Sequence, residues 1–235
     1  MQADAYPRLM VPGRNRPSLA SAVPRPGAAS SSWTPATLDC IARPIAYQRG
    51  ECLRGSGEQG KSLYRLRQGA AKTFALLASG RQQTMDFLLP GDFFAFGCRE
   101  TEPVAAEVLA ANTVIATYRI DEVRALAAER AEVASLILDI AFGGVMRLQR
   151  RMLTVSNHMR TTQRVGSFLW EISGRLTEPG SKSFILPISR YDIADYLGMS
   201  VESVSRSLGK LNQSGAIRLT GARNVLIVEV EALRP

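Results

Sequence analysis

The sequence predicts an α+β chain in three successive parts, and three observations predict it. Short apolar runs separated by glycine turns fill residues 41–120, a seven-residue apolar repeat runs on from Ala131, and two amphipathic helical patterns meet at Gly198. The first pattern belongs to a compact β unit, the second to a long helix with an apolar seam, and the third to a pair of short helices joined by a tight turn.

A chain of 235 residues with 46% hydrophobic and 21% charged residues has the composition of a folded protein with a real core. Its net charge of +8 is unevenly spread. Basic residues outnumber acidic ones four to one over residues 1–34, stand 12 against 13 over 35–144, and reach 13 against 7 over 145–235. The C-terminal part therefore carries the charge that attracts phosphate.

Residues 1–33 hold Pro7, Pro12, Pro17, Pro24 and Pro26 among Ala, Ser, Gly and Arg, a mixture too poor in apolar surface to offset its ordering entropy. A disordered tail is expected, with Arg14, Arg16 and Arg25 available for electrostatic contact. Residues 34–130 form the β unit, with turns at Gly69, Gly80, Pro90-Gly91 and Ala111-Asn112. Ser79-Gly80 between Lys72–Ala78 and Gln82–Leu88 reads as a hairpin. Residues 131–156 form the long helix. Leu138, Val145 and Met152 recur at one seam position and Ala141, Leu148 and Val155 at the other, a coiled-coil pattern that serves either a homodimer interface or packing on the helix's own domain. Gly143-Gly144 interrupts it as a site of close approach or of a bend.

Residues 157–231 form the last unit. Thr161 or Thr162 caps a helix whose apolar face holds Val165, Phe168, Leu169, Ile172 and Leu176. Ser189 with Asp192 three residues on is a capping-box start, Ile193, Ala194 and Leu197 are its buried face, Gly198 makes the turn, and Ser200 caps the next helix. In that helix Val204, Leu208 and Leu211 face the core, while Glu202, Ser205 and Arg206 at i, i+3, i+4 share the outer face. This is a helix-turn-helix, and the three outward side chains sit where a recognition helix approaches bases in double-stranded DNA. Arg206 matches guanine O6 and N7, Glu202 matches the cytosine amino group, and Ser205 matches a neighbouring base. A Glu202–Arg206 ion pair is expected to hold both in place. Arg190, Ser203, Lys210 and Thr162 are candidate phosphate contacts. Arg223 is a fifth, at the tip of a hairpin between Ile217–Leu219 and Val225–Val230.

Cys40, Cys52 and Cys98 form no CxxC pair, and His158 is the single histidine. Neither a disulfide framework nor a metal site is expected, and the cytoplasm fits best. The most apolar stretch, Leu136 to Met146, is interrupted by Asp139 and followed by Arg147, leaving it short of the ~20 residues of a membrane span; neither an anchor nor a secretory signal is expected. No phosphate-cradling loop or Ser/His or Cys/His set indicates an enzyme.

The residues resemble the Crp–Fnr family of transcription regulators. Leu63-Tyr64-Arg65-Leu66-Arg67-Gln68-Gly69 and Pro90-Gly91-Asp92-Phe93-Phe94 resemble its cyclic-nucleotide-binding-like β-roll, the seam helix its dimerisation helix, and Glu202-Ser203-Val204-Ser205-Arg206 the E-x-x-S-R signature of the Fnr and FixK branches. The resemblance implies a winged helix-turn-helix reading a TTGA-type inverted repeat as a homodimer, with RNA polymerase as partner. It departs from the cyclic-AMP-binding members at Ala95-Phe96-Gly97-Cys98 and Pro103-Val104-Ala105-Ala106, which lack the acidic and Arg-Ser pairs of the phosphate cassette, and from the oxygen-sensing members in lacking a cysteine before Cys40. The FixK type remains, which implies an activator of low-oxygen or nitrogen-fixation-related genes with no cofactor. The alternative within the fold is a sensor that needs a small molecule or haem in the β-roll, with His158 as the candidate haem ligand.

Overall fold

The computed structural model describes residues 36–54, 61–96, 104–155, 159–176, 183–220, 224–229 and 231–233. After a short helix α1 (Ala36–Asp39), eight strands follow: β1 (Arg43–Tyr47), β2 (Cys52–Arg54), β3 (Ser62–Gln68), β4 (Ala71–Leu76), β5 (Gln82–Leu88), β6 (Phe93–Ala95), β7 (Val104–Val108) and β8 (Thr113–Arg119). They form two antiparallel sheets, β1-β8-β3-β6 and β2-β7-β4-β5. Alternating residues of both sheets, among them Leu53, Tyr64, Leu66, Leu88, Phe94, Phe96, Ala106 and Ile115, bury a common core. Gly69 sits at φ +89°, and a Cβ there would meet the Thr113 hydroxyl at 2.2 Å, so only glycine lets β3 turn into β4 against β8.

The expected hairpin is β4–β5, closed by the Leu77 N–H to the Arg81 carbonyl at 2.9 Å. Its register shifts: Thr73 faces Asp86 but Phe74 faces Thr84, which leaves Met85 as an extra residue. Such a bulge frees backbone groups from the ladder.

Helices α2 (Ile120–Glu129) and α3 (Ala131–Val155) follow. Val123 and Val133 pack with Leu38, Ala116 and Tyr118 on the outside of the first sheet. Beyond that anchor, α3 runs unbroken through Gly143-Gly144, and a Cβ at Gly143 would meet only the Arg147 guanidinium, at 3.8 Å, with nothing near one at Gly144. Among the described residues, then, the pair serves no close approach within the chain. Leu138, Val145, Leu148 and Met152 of the seam are exposed, as is Ala141, and Phe142 and Met146 lie exposed beside them. The Val155 side chain lies outside the described ones.

Helix α4 (Thr161–Leu176), strand β9 (Ser183–Ile185), helices α5 (Arg190–Leu197) and α6 (Val201–Gln213), strands β10 (Ile217–Leu219) and β11 (Asn224–Ile227) and a final 3-10 turn (Glu231–Leu233) complete the chain. The threonine cap expected for α4 does not form. The helix already includes Thr161, and Gln163 accepts from the Arg160 N–H at 3.0 Å instead. The wing gains a strand the sequence reading omits, in the order β10-β11-β9.

One core joins this unit to the roll. Phe87 of β5 meets Phe168 of α4 at 5.8 Å and Tyr196 of α5 at 5.0 Å between ring centroids, contacts worth about 0.5–1.5 kcal/mol each beyond their burial. Charged groups surround the rings. Arg175 donates to Asp92 and to the Phe87 carbonyl, and Arg147 reaches Asp86 at 3.4 Å. Burial lifts the Asp86 and Glu171 carboxyls above the usual range, more than the nearby Arg175 and Arg147 lower them.

Candidate nucleic-acid interface

Helix α5 begins as its sequence requires. The Asp192 N–H donates to the Ser189 hydroxyl at 3.1 Å, and the Ser189 N–H donates back to the Asp192 carboxylate at 3.3 Å, a closed capping box. The helix ends at Gly198, at φ 61° and ψ 48°, whose N–H bonds the Ala194 and Asp195 carbonyls. This left-handed residue turns the chain steeply into α6. Ser200 caps α6, accepting from the Ser203 N–H at 3.2 Å.

Val204, Ser207, Leu208 and Leu211 bury one face of α6 against Ile193, Leu197 and α4. Glu202 and Arg206 stand exposed on the other, with Ser205 half-buried between them. The expected Glu202–Arg206 ion pair is absent among the described residues. Glu202 is held at the helix N-terminus: its own backbone N–H and the Ser200 hydroxyl are the main causes that lower its carboxyl below the usual range, and the Arg206 charge adds least. Arg206 instead leans to the Ser203 hydroxyl at 3.5 Å. Water screens an exposed ion pair of this kind, so the local amide wins.

Of the candidate phosphate contacts, Arg190 is exposed at the first turn of α5 and donates to the Ser205 hydroxyl at 3.3 Å, joining the two helices. Lys210 is exposed one helical turn beyond Arg206, and Ser203 is half-buried one turn before Arg206. Thr162 is half-buried in the first turn of α4. That turn is tied to the helix pair by Arg164, which donates to the Leu197 carbonyl and, at 3.0 Å, to the Thr154 carbonyl. Arg223 lies outside the described residues, as do Cys98 and His158. Sequence reasoning missed Arg164; its signal was a cation set on the apolar face of a helix.

Two domain families match the chain: the Crp-like helix-turn-helix domain over residues 163–235 and the cyclic nucleotide-binding domain over residues 44–130. The nitrogen fixation regulation protein FixK of Rhizobium meliloti is 31% identical over 188 residues, covering 80% of this chain and 84% of the relative. FixK of Azorhizobium caulinodans is 31% identical over 212 residues, 88% of this chain and 84% of the relative. The chain belongs to the Crp–Fnr family of DNA-binding transcription regulators. Within the Crp–Fnr family it is of the FixK type, and its fold matches the solved structure of FixK2 from Bradyrhizobium japonicum at a TM-score of 0.72 and 30% identity over 82% of this chain and 96% of that one.

A Crp–Fnr roll raises the question of a cyclic nucleotide. Strand β7 opens with Val104, Ala105 and Ala106, which offer neither cation nor hydroxyl to a cyclic phosphate, and Ala106 is fully buried in the sandwich core. The residues present there do not fit one. Among the described residues no group of three or more His, Cys, Asp or Glu side chains could hold a metal ion, and no helix is long and apolar enough to cross a membrane.

Proposed function

We propose that this chain is a homodimeric transcription activator that reads a TTGA-type inverted repeat, with half-sites about one helical turn apart, through Glu202, Ser205 and Arg206. The observation that carries the reading is the division of α6: its apolar face is buried and these three polar side chains share the open one. Arg206 donates to guanine, Glu202 accepts from cytosine, and Ser205 contacts a neighbouring base. Arg190, Ser203, Lys210, Thr162 and Arg223 hold phosphates. Residues 131–156 form the dimerisation helix through Leu138, Ala141, Val145, Leu148, Met152 and Val155, residues 34–130 the roll, and residues 157–231 the reading unit. RNA polymerase is the partner that turns binding into activation of low-oxygen or nitrogen-fixation-related genes in the cytoplasm. DNA binding requires no cyclic nucleotide and no iron–sulfur cluster.

The test is a titration of wild type and Arg206→Ala against a TTGA palindrome and a scrambled duplex at several salt concentrations. Arg206→Ala should lose about 1–3 kcal/mol of discrimination. Lys210→Ala should weaken both duplexes alike and reduce the salt slope by about one. Unchanged discrimination in Arg206→Ala refutes the assigned readout.

A further inference from the structure

At the bulge around Met85, three backbone groups of the edge strand β5 are taken by other elements. The Thr84 N–H donates to the Asp195 carboxylate of α5 at 2.6 Å. The Thr84 carbonyl accepts from Arg151 of α3 at 2.7 Å, and the Met85 carbonyl accepts from the same guanidinium at 2.5 Å. Gln83, next to the bulge, donates to the Asp195 carbonyl at 2.8 Å. Arg151 closes the circuit by lying 4.7 Å over the ring of Tyr196, the neighbour of Asp195. One turn earlier on α5, Asp192 takes Lys72 of β4 at 2.7 Å, and that lysine also reaches Glu107 of β7 at 3.2 Å.

These contacts join three things that a reader of an inverted repeat must keep in register. Arg151 belongs to the exposed apolar stretch of α3, beside Met152. Asp195 belongs to the helix that carries α6. The bulge on β5 bonds to both. We infer that Arg151, Asp195 and the Met85 bulge form a positioning device that sets the separation of the two recognition helices, and so the half-site spacing the protein accepts. The inference rests on the proposed dimeric reading of an inverted repeat. One base pair of extra spacing displaces a half-site by about 3.4 Å and rotates it by about 34°. A rigid clamp rejects that change, and a loosened one follows it.

The experiment measures affinity of the full-length protein for TTGA palindromes of natural spacing and with one base pair added or removed, and for a scrambled duplex. Wild type should prefer natural spacing by about tenfold or more. Arg151→Met and Asp195→Ala should each cut that ratio below about threefold while keeping the preference for TTGA over scrambled sequence, and Asp195→Asn, which still accepts from the Thr84 N–H, should restore it. Gln83→Ala, which removes the bond to the Asp195 carbonyl and a longer one to the Thr84 carbonyl at 3.4 Å, gives an intermediate ratio and keeps the test available if a larger change unfolds the chain. Equal spacing ratios in wild type and the variants overturn the inference, as does a wild type that reads TTGA but tolerates every spacing. A wild type without preference for TTGA overturns the proposed function instead.

Discussion

Leu148 leaves 57% of its surface to solvent on α3, which makes it a direct measure of whether a second copy covers that seam. Leu148→Ala removes three carbons, worth about 2.4 kcal/mol if fully buried at about 0.8 kcal/mol per CH₂. The protomer's own fold buries the rest of the residue, so a partner can act on roughly the exposed 57% of that figure, or about 1.4 kcal/mol. Two-fold symmetry applies the loss twice, giving about 2.7 kcal/mol and a dimer dissociation constant raised about a hundredfold. Sedimentation over a concentration series reads that constant directly. Thermal unfolding of the isolated protomer should hardly move, because the leucine contributes little to it. Asp139→Asn, an exposed change off the seam, is the control and should shift dimerisation by less than about twofold. A Leu148→Ala variant that dimerises within threefold of wild type would refute the seam.

Further outcomes are fixed by the same geometry. Ser189→Ala opens the capping box and should lower stability by about 1 kcal/mol in a urea titration; a loss below the error of the fit would show the cap to be idle. Gly69→Ala places a methyl on the Thr113 side chain in a positive-φ backbone and should destabilise the roll by more than about 2 kcal/mol, read by thermal melting. Burial lifts the Glu171 carboxyl, so the folded chain holds that proton more tightly than the unfolded chain. The contribution is full below the unfolded carboxylate range and is lost as pH rises through the raised folded value. Wild type should therefore gain stability relative to Glu171→Gln as pH falls from about 7 toward 5, and parallel curves would exclude it. Asp192 has the opposite sign. Burial alone would raise it, but hydrogen bonds from Lys72 and Ser189 hold it below its usual value. Its contribution is present above the unfolded range and is lost as pH falls through the depressed one, and Asp192→Asn should remove that acid sensitivity.

Local order was the part of the fold legible in the sequence. Ser189 with Asp192, the turn at Gly198, the β4–β5 hairpin and the two faces of α6 all depend on residues within a few positions of one another, and each forms as the spacing dictates. Contacts across the chain were not legible. Lys72 and Asp192 lie 120 positions apart, and no periodicity announces that an exposed-looking lysine on a strand will meet a helix cap. Strand β9 was missed because its three residues carry no alternation long enough to read. The Glu202–Arg206 pair failed for a local reason that spacing rules omit: a carboxylate in the first helical turn has unsatisfied amides nearer than a side chain one turn away. Phe142 and Met146 could have been found, since each stands four residues after a seam position or its neighbour.

Asp192 carries a consequence of its own. The carboxylate that starts α5 is the same one that takes Lys72 from the roll, with the two side chains left only 15% and 12% exposed. Fraying of that first helical turn and parting of the two units are therefore one event rather than two. The amide protons of Asp192 and Ile193 should exchange with solvent at the rate at which the units separate, and a ligand that pulls the reading unit away would register first as deuterium uptake at the foot of α5.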